Sequence, residues 1–196
     1  MKKDWTGNKK STFTTLGASN HSDHERADKD YYATELRCAK ELLEQEDFND
    51  IWECSCGEGH LSKEFEAAGK KVYSTDLVDR GYGIGEIDFL NNDICWEGDI
   101  ITNPPYSLAL EFCQQGIKKL QPGRKMAMFL KLTFLEGQKR KKFFEITPPC
   151  TVYVYSSRRK CALNGDFNSV GSSAACYAWF VWKKGYVGPT VIKWID

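Results

Sequence analysis

The sequence predicts a doubly wound α/β domain, a mostly parallel sheet with helices on both faces. Three observations lead there. Short runs of β-branched and aromatic residues alternate with stretches of helical period, and each crossover helix must cover a face of the sheet. A glycine-bearing turn directly follows the first clear strand, and Asp76 closes the second. In an open sheet of this kind, ligands gather where such strand ends meet their loops.

Residues 1–29 are polar, rich in Lys, Ser, Thr, Asn and Asp, and carry neither hydrophobic period, which predicts an extended or partly disordered arm. Residues 30–196 are expected to form one domain around one core. Leu36, Ala39, Leu42 and Leu43 share a face of a helix from Glu35 to Glu46, and Asp50 to Cys54 reads as a short buried strand. Leu61, Phe65 and Ala68 line a helix from His60 that Gly69 stops, ahead of a strand from Lys71 to Thr75. Leu77 to Gly98 is loop-like and glycine-rich. Asp99 to Thr102 is a third strand running straight into Asn103-Pro104-Pro105-Tyr106, after which Ser107 to Leu120 is helical. A Pro122-Gly123 turn leads to a strand from Lys125 to Lys131 and a basic helix from Glu136 to Glu145. Strands at Thr151 to Tyr155 and Ala175 to Trp182 complete the reading. Alternation across the last of these assigns Tyr177, Trp179, Phe180 and Trp182 to the core rather than to a base-stacking platform.

A hydrophobic share of 41% supports a buried core, and no apolar run approaches the roughly 18 residues that spanning a bilayer requires. No membrane partner is expected. Charges and Trp5 stand where a secretion signal would need an apolar stretch, so a reducing cytoplasm is the expected compartment. Eight cysteines scattered from Cys38 to Cys176 then read as free thiols. Cys54 and Cys56 lack the second pair that a zinc site needs, so no metal is expected. The formal net charge of zero hides a split: residues 1–100 hold 12 Lys+Arg against 22 Asp+Glu, or −10, and residues 101–196 hold 15 against 5, or +10. Clusters at Lys118-Lys119, Lys139 to Lys142 and Arg158 to Lys160 suit either a phosphate backbone or solvated helix faces.

Glu53-Cys54-Ser55-Cys56-Gly57-Glu58-Gly59 stands between a strand and a helix. Gly57 and Gly59 permit a sharp turn and a close approach of ligand to backbone. The third glycine of the dinucleotide fingerprint is missing, which favours a smaller adenosyl ligand. Asp76, 17 residues after Gly59, is placed where an acid would accept bonds from both ribose hydroxyls, although an ordinary strand-end Asp looks the same.

The Asn103-Pro104-Pro105-Tyr106 turn is the more specific motif. Two prolines fix φ and hold the chain extended, so Asn103 and Tyr106 are aimed in set directions. An exocyclic amine on an aromatic ring is a poor nucleophile because its lone pair is delocalised. Two fixed neutral acceptors, Asn103 Oδ1 and the Pro104 carbonyl, can draw it towards tetrahedral geometry, while Tyr106 offers a stacking face worth about 1 to 3 kcal/mol per base.

Together these motifs resemble the adenine-N6 DNA methyltransferases, in particular compact phage-type members, over nearly everything from Phe13 to Trp194. The resemblance implies a Rossmann-like class I methyltransferase fold, S-adenosylmethionine as methyl donor and DNA as partner. Asp30-Tyr31-Tyr32-Ala33-Thr34 is similar to the family's D-x-Y-A-T segment, which implies donor contacts for Tyr32 and a bond from Thr34 to the donor's carboxylate. Glu53, Ser55, Gly57 and Gly59 match its glycine loop, and Asp76 its ribose-binding acid. Asp88-Phe89-Leu90 is similar to the segment at the donor's adenine, where Asp88 would accept from the amine and Phe89 pack on the ring. Asn103 to Tyr106 match the catalytic (N/D/S)-PP-(Y/F/W) motif letter for letter. Glu35 and Cys54 stand where the family often has Pro, and neither change removes a role-bearing side chain. The chain has no insertion large enough for a separate target-recognition domain, which leaves sequence specificity open.

The implied reaction is direct transfer to the amine of a base taken out of its stack. It needs no covalent enzyme intermediate and no strong base, so the thiols receive no role and His21, His24 and His60 read as exposed or capping residues. An RNA adenine, a protein glutamine amide methylated through the same NPPY motif, and a catalytically silent nucleic-acid-binding subunit are the alternatives. Intact Asn103 and Tyr106 argue against silence. The arm from Thr12 to Asp28 could close over the donor or the base.

Overall fold

The computed structural model describes residues 32–163 and 175–196. The polar segment 1–29, with its Thr12 to Asp28 portion, lies outside the described residues. Strands β2 (Ile51–Glu53), β3 (Val72–Ser74), β4 (Asp99–Thr102), β5 (Lys125–Lys131), β6 (Thr151–Tyr155), β8 (Tyr177–Lys183) and β9 (Val191–Ile195) form a seven-stranded sheet in the order β3-β2-β4-β5-β8-β6-β9. β3, β2, β4 and β5 pair in parallel, as do β6 and β9, and β8 alone runs antiparallel to both its neighbours. Outside this sheet, β1 (Tyr32–Thr34) and β7 (Cys161–Leu163) make a two-stranded antiparallel ribbon.

Strand alternation builds two cores, one on each face of the sheet. Ile51, Ile101, Phe129 and Trp179 point to one face, against Cys38, Ala39 and Leu42 of helix α1 (Arg37–Gln45) and Leu61 and Phe65 of α2 (His60–Ala67). Trp52, Ile100, Met126, Met128, Phe180 and Trp182 point to the other. There they meet Phe112 and Cys113 of α3 (Ala109–Lys119), with Phe143 and Phe144 of α4 (Gln138–Ile146) packed alongside. Helices therefore cover both faces, as the alternation of elements predicts. Tyr177, Trp179, Phe180 and Trp182 are all buried core residues.

One side chain ties the strand carrying the NPPY turn to its neighbours. Asp99, buried at the start of β4, accepts from the backbone N–H of Asn49 and of Lys125, each at 2.6 Å. This pins β4 between the chain entering β2 and the start of β5.

The bounds of the elements read from sequence match to within two residues. The stretch from Leu77 to Gly98 contains one bridge, Thr75 to Ile84, and one 3-10 turn, Phe89–Asn91. Three strands were not anticipated. β1 and β7 pair only with each other, outside the seven-stranded sheet, so neither belongs to the strand–helix alternation. β9 is an edge strand whose Val191, Ile192 and Trp194 stay exposed while Ile195 alone is buried, so no alternating buried face marks it. No helix among the described residues is long and apolar enough to cross a membrane.

Candidate active site

A cavity of about 660 Å³ opens at the carboxyl ends of β2, β3 and β4. Thr34, Glu53, Ser55, Asp76, Asp88, Phe89 and Asn103 to Tyr106 all line it, so the separate sequence motifs converge on one space. Gly57 and Gly59 are not among its lining residues, although Ser55, Cys56 and His60 on either side of them are.

The glycine loop is shaped by backbone bonds and one carboxylate. Gly57 and Gly59 take φ of +55° and +78°, conformations that a Cβ would strain, and Gly59 hands the chain into α2. Asp76, 9% exposed, accepts from the Gly57 N–H on Oδ2 at 2.8 Å and from the Val78 N–H on Oδ1 at 2.9 Å. It thus joins the loop after β2 to the loop after β3, and its oxygens keep further lone pairs for a ligand. Beneath the loop, Glu53 is buried and accepts a bond from the Ser62 hydroxyl, which in turn meets Ser74 Oγ at 2.6 Å. Burial pushes the Glu53 carboxyl up to about 8.

The NPPY turn is held from three directions. Ser55 Oγ donates to the Asn103 carbonyl at 3.0 Å and lies 2.7 Å from Thr102 Oγ1, which ties the turn to the glycine loop. Asn103 Nδ2 donates to Thr34 Oγ1 of β1 at 2.9 Å. The Tyr106 hydroxyl donates to Cys161 Sγ of β7 at 3.3 Å. The Tyr106 ring lies 6.1 Å from that of Tyr177, with Lys131 Nζ 4.7 Å from its centroid. Burial, followed by the neighbouring Cys161 thiol, pushes the Tyr106 phenol well above its ordinary range, so it stays a neutral donor.

The sequence matches no protein-family model and no curated protein sequence. Solved structures do match. A proposed class I S-adenosylmethionine-dependent methyltransferase from Listeria monocytogenes superposes with a TM-score of 0.57 at 14% identity, over 93% of this chain and 69% of that one. The modification subunit of a proposed type I restriction enzyme from Vibrio vulnificus gives 0.59 at 14% identity, over 83% of this chain and 46% of that one. A proposed RNA methyltransferase from Pyrococcus horikoshii gives 0.59 at 13% identity, over 88% and 98%. The chain has the Rossmann-like class I methyltransferase fold. It spans less than half the length of the restriction-enzyme subunit.

Within this class I fold, several of the residues singled out from sequence carry structural duties of their own. Asp88 caps the 3-10 turn, accepting from the Leu90 N–H at 2.9 Å and from Asn91 Nδ2 at 2.8 Å. Phe89 lines the cavity while its ring stacks on Phe112 and meets Trp52 edge-on, so it is also core. Tyr32 opens β1, and its side chain lies outside the described residues. His60, read from sequence as an exposed or capping residue, begins α2 and faces the cavity, where burial lowers its pKa. Arg80 and Leu77 also line the cavity and were missed, because a loop without periodicity does not reveal which side chains turn inward. Burial pushes the Cys54 and Cys56 thiols up, Cys56 to about 12, which keeps them protonated. Among the described residues no group of three or more His, Cys, Asp or Glu could hold a metal.

The basic clusters are smaller than the sequence suggests. Lys119 donates to the carbonyls of Asn92 and Ile94 and to Asn92 Oδ1, and Arg159 is buried against Glu41. Lys118, Lys139, Lys141, Lys142, Arg158 and Lys160 remain exposed.

Proposed function

We propose that this chain transfers a methyl group from S-adenosylmethionine to the exocyclic N6 amine of adenine in DNA. One observation carries the reading: Asn103 and Tyr106 face the same cavity as the glycine loop and Asp76, so an acceptor amine and an adenosyl donor can share one space. The residues present fit the donor. The cavity volume of about 660 Å³ lies in the usual range for small-ligand sites. Asp76, already fixed by two backbone bonds, would take the ribose hydroxyls, with Asp88 and Phe89 at the adenine end. S-adenosylmethionine held by these residues would supply an electrophilic methyl group on a sulfonium, the S–C electron pair staying with sulfur and the amine proton passing to solvent.

The chain's own part is position and fixed dipoles. Asn103 Oδ1 and the Pro104 carbonyl accept the two amine hydrogens and draw the nitrogen out of conjugation. Tyr106 stacks the base. Holding the amine at attack distance accounts for roughly 7 to 11 kcal/mol of barrier reduction. Support for DNA comes from the exposed lysines of the basic half and from the fold shared with a type I modification subunit. The likeness to a proposed RNA methyltransferase of nearly the same length keeps RNA adenine as the second reading.

The test is methyl-labelled donor offered with unmethylated DNA, with RNA and with a glutamine peptide, followed by nucleoside and peptide analysis. N6-methyladenine in DNA is expected. Asn103→Ala is expected to lower kcat by about 100-fold or more, the scale of removing one preorganised polar group, while donor binding persists. Label in the peptide or RNA alone, or in no acceptor, overturns the assignment to DNA.

A further inference from the structure

Thr34 and Cys161 face each other on one rung of the β1–β7 ribbon, and each contacts one end of the NPPY turn. Asn103 Nδ2 donates to Thr34 Oγ1 at 2.9 Å, and the Tyr106 hydroxyl donates to Cys161 Sγ at 3.3 Å. The ribbon is itself tied down. The Glu35 N–H donates to the Lys160 carbonyl at 3.2 Å beside the rung. Two residues ahead of Cys161, Arg159 is 1% exposed, donates to Glu41 Oε1 of α1 at 2.9 Å and lies 4.4 Å over the Tyr155 ring. A buried ion pair contributes little net stability because desolvation offsets its attraction, so a role in fixing geometry suits it better.

We propose that the Thr34–Cys161 rung is the positioning device of the acceptor site, with Thr34 holding the Asn103 side chain by its Nδ2 and Cys161 setting the direction of Tyr106. The inference rests on the amine N-methylation proposed above. Its chemistry is the polarity of an amide. With Nδ2 engaged by Thr34, the opposite end is Oδ1, the acceptor that an amine offering N–H groups requires. A flipped amide would turn Nδ2 towards the amine, donor against donor, while the Thr34 hydroxyl would donate to Oδ1 instead. Thr34 is then a positioning residue that acts through Asn103, rather than a ligand of the methyl donor.

The test is steady-state kinetics of the full chain with labelled donor and DNA, together with donor affinity by calorimetry and a melting temperature for every variant. Thr34→Val keeps the shape of the side chain and removes the acceptor. It is expected to lower kcat by about 10- to 100-fold, the scale of misplacing a reacting group, with donor Kd within about threefold and Thr34→Ser restoring most of the rate. Cys161→Ala is expected to lower kcat about tenfold, with Cys161→Ser recovering it, and reads the other end of the rung independently. The inference is overturned if Thr34→Val weakens donor binding as much as it slows turnover, or if both alanine and valine variants turn over like the wild type. A wild-type chain inactive on DNA, RNA and peptide removes the functional reading itself, and the inference with it. An active wild type with unaffected variants removes the inference alone.

Discussion

Replacing Glu53 with Gln isolates the energetic consequence of a carboxyl group buried beneath the glycine loop. Glu53 is 2% exposed, and burial is the main cause raising its pKa from 4.5 to about 8, against the lowering effect of the Ser62 hydroxyl that donates to it. Between those two values the unfolded chain releases the proton while the folded chain retains it. The contribution to stability is therefore fully present below pH 4.5 and is lost as pH rises towards about 8. At about 1.4 kcal/mol for each pH unit, the loss approaches about 5 kcal/mol across the whole window from 4.5 to about 8. Gln cannot ionise, so Glu53→Gln lacks this slope. Urea unfolding followed by tryptophan fluorescence at about pH 5.5, 6.5 and 7.5, without donor, measures both proteins. The stability of the variant relative to wild type is expected to rise by about 1.4 kcal/mol per pH unit. Because other titrating groups are common to both, only the difference is read. Parallel stability curves over that range would refute a neutral buried carboxyl at this position.

Two further outcomes follow from the same geometry. Asp99→Ala leaves the N–H groups of Asn49 and Lys125 without their carboxylate and loosens β4 at the end away from the NPPY turn. A destabilisation of about 2 to 4 kcal/mol is expected in urea unfolding, and a change under about 0.5 kcal/mol would discount these bonds. Gly59→Ala adds a Cβ at φ +78° that collides with the Tyr82 ring. The expected result is about 1 to 2 kcal/mol of lost stability, from the left-handed backbone and the displaced ring, with donor affinity reduced at least several-fold; wild-type affinity would separate the loop from the donor site.

The motifs themselves were legible in the sequence, for reasons that are local. Two prolines restrict φ wherever they occur, and glycines after a short apolar strand permit a turn there whatever surrounds them, so Gly57, Gly59 and Asn103 to Tyr106 announce themselves in one dimension. The helical spacing of Leu61 and Phe65 likewise depends only on the period of the element, and Lys125–Lys131 encloses a continuous apolar run that is buried throughout.

Sequence alone thus determined the doubly wound architecture and the residues grouped around its strand ends, because backbone restriction and hydrophobic period act over a few residues. Only the tertiary structure decided what those residues touch. The bond from Asn103 to Thr34 spans 69 positions and that from Tyr106 to Cys161 spans 55, and no local pattern encodes either. The same holds for charge: Lys119 and Arg159 read as surface cations until folding sets the carbonyls of Asn92 and Ile94 and the Glu41 carboxylate against them. Whether a polar side chain is offered to a ligand or spent within the fold depends on which distant groups the packing of the sheet brings within hydrogen-bond reach.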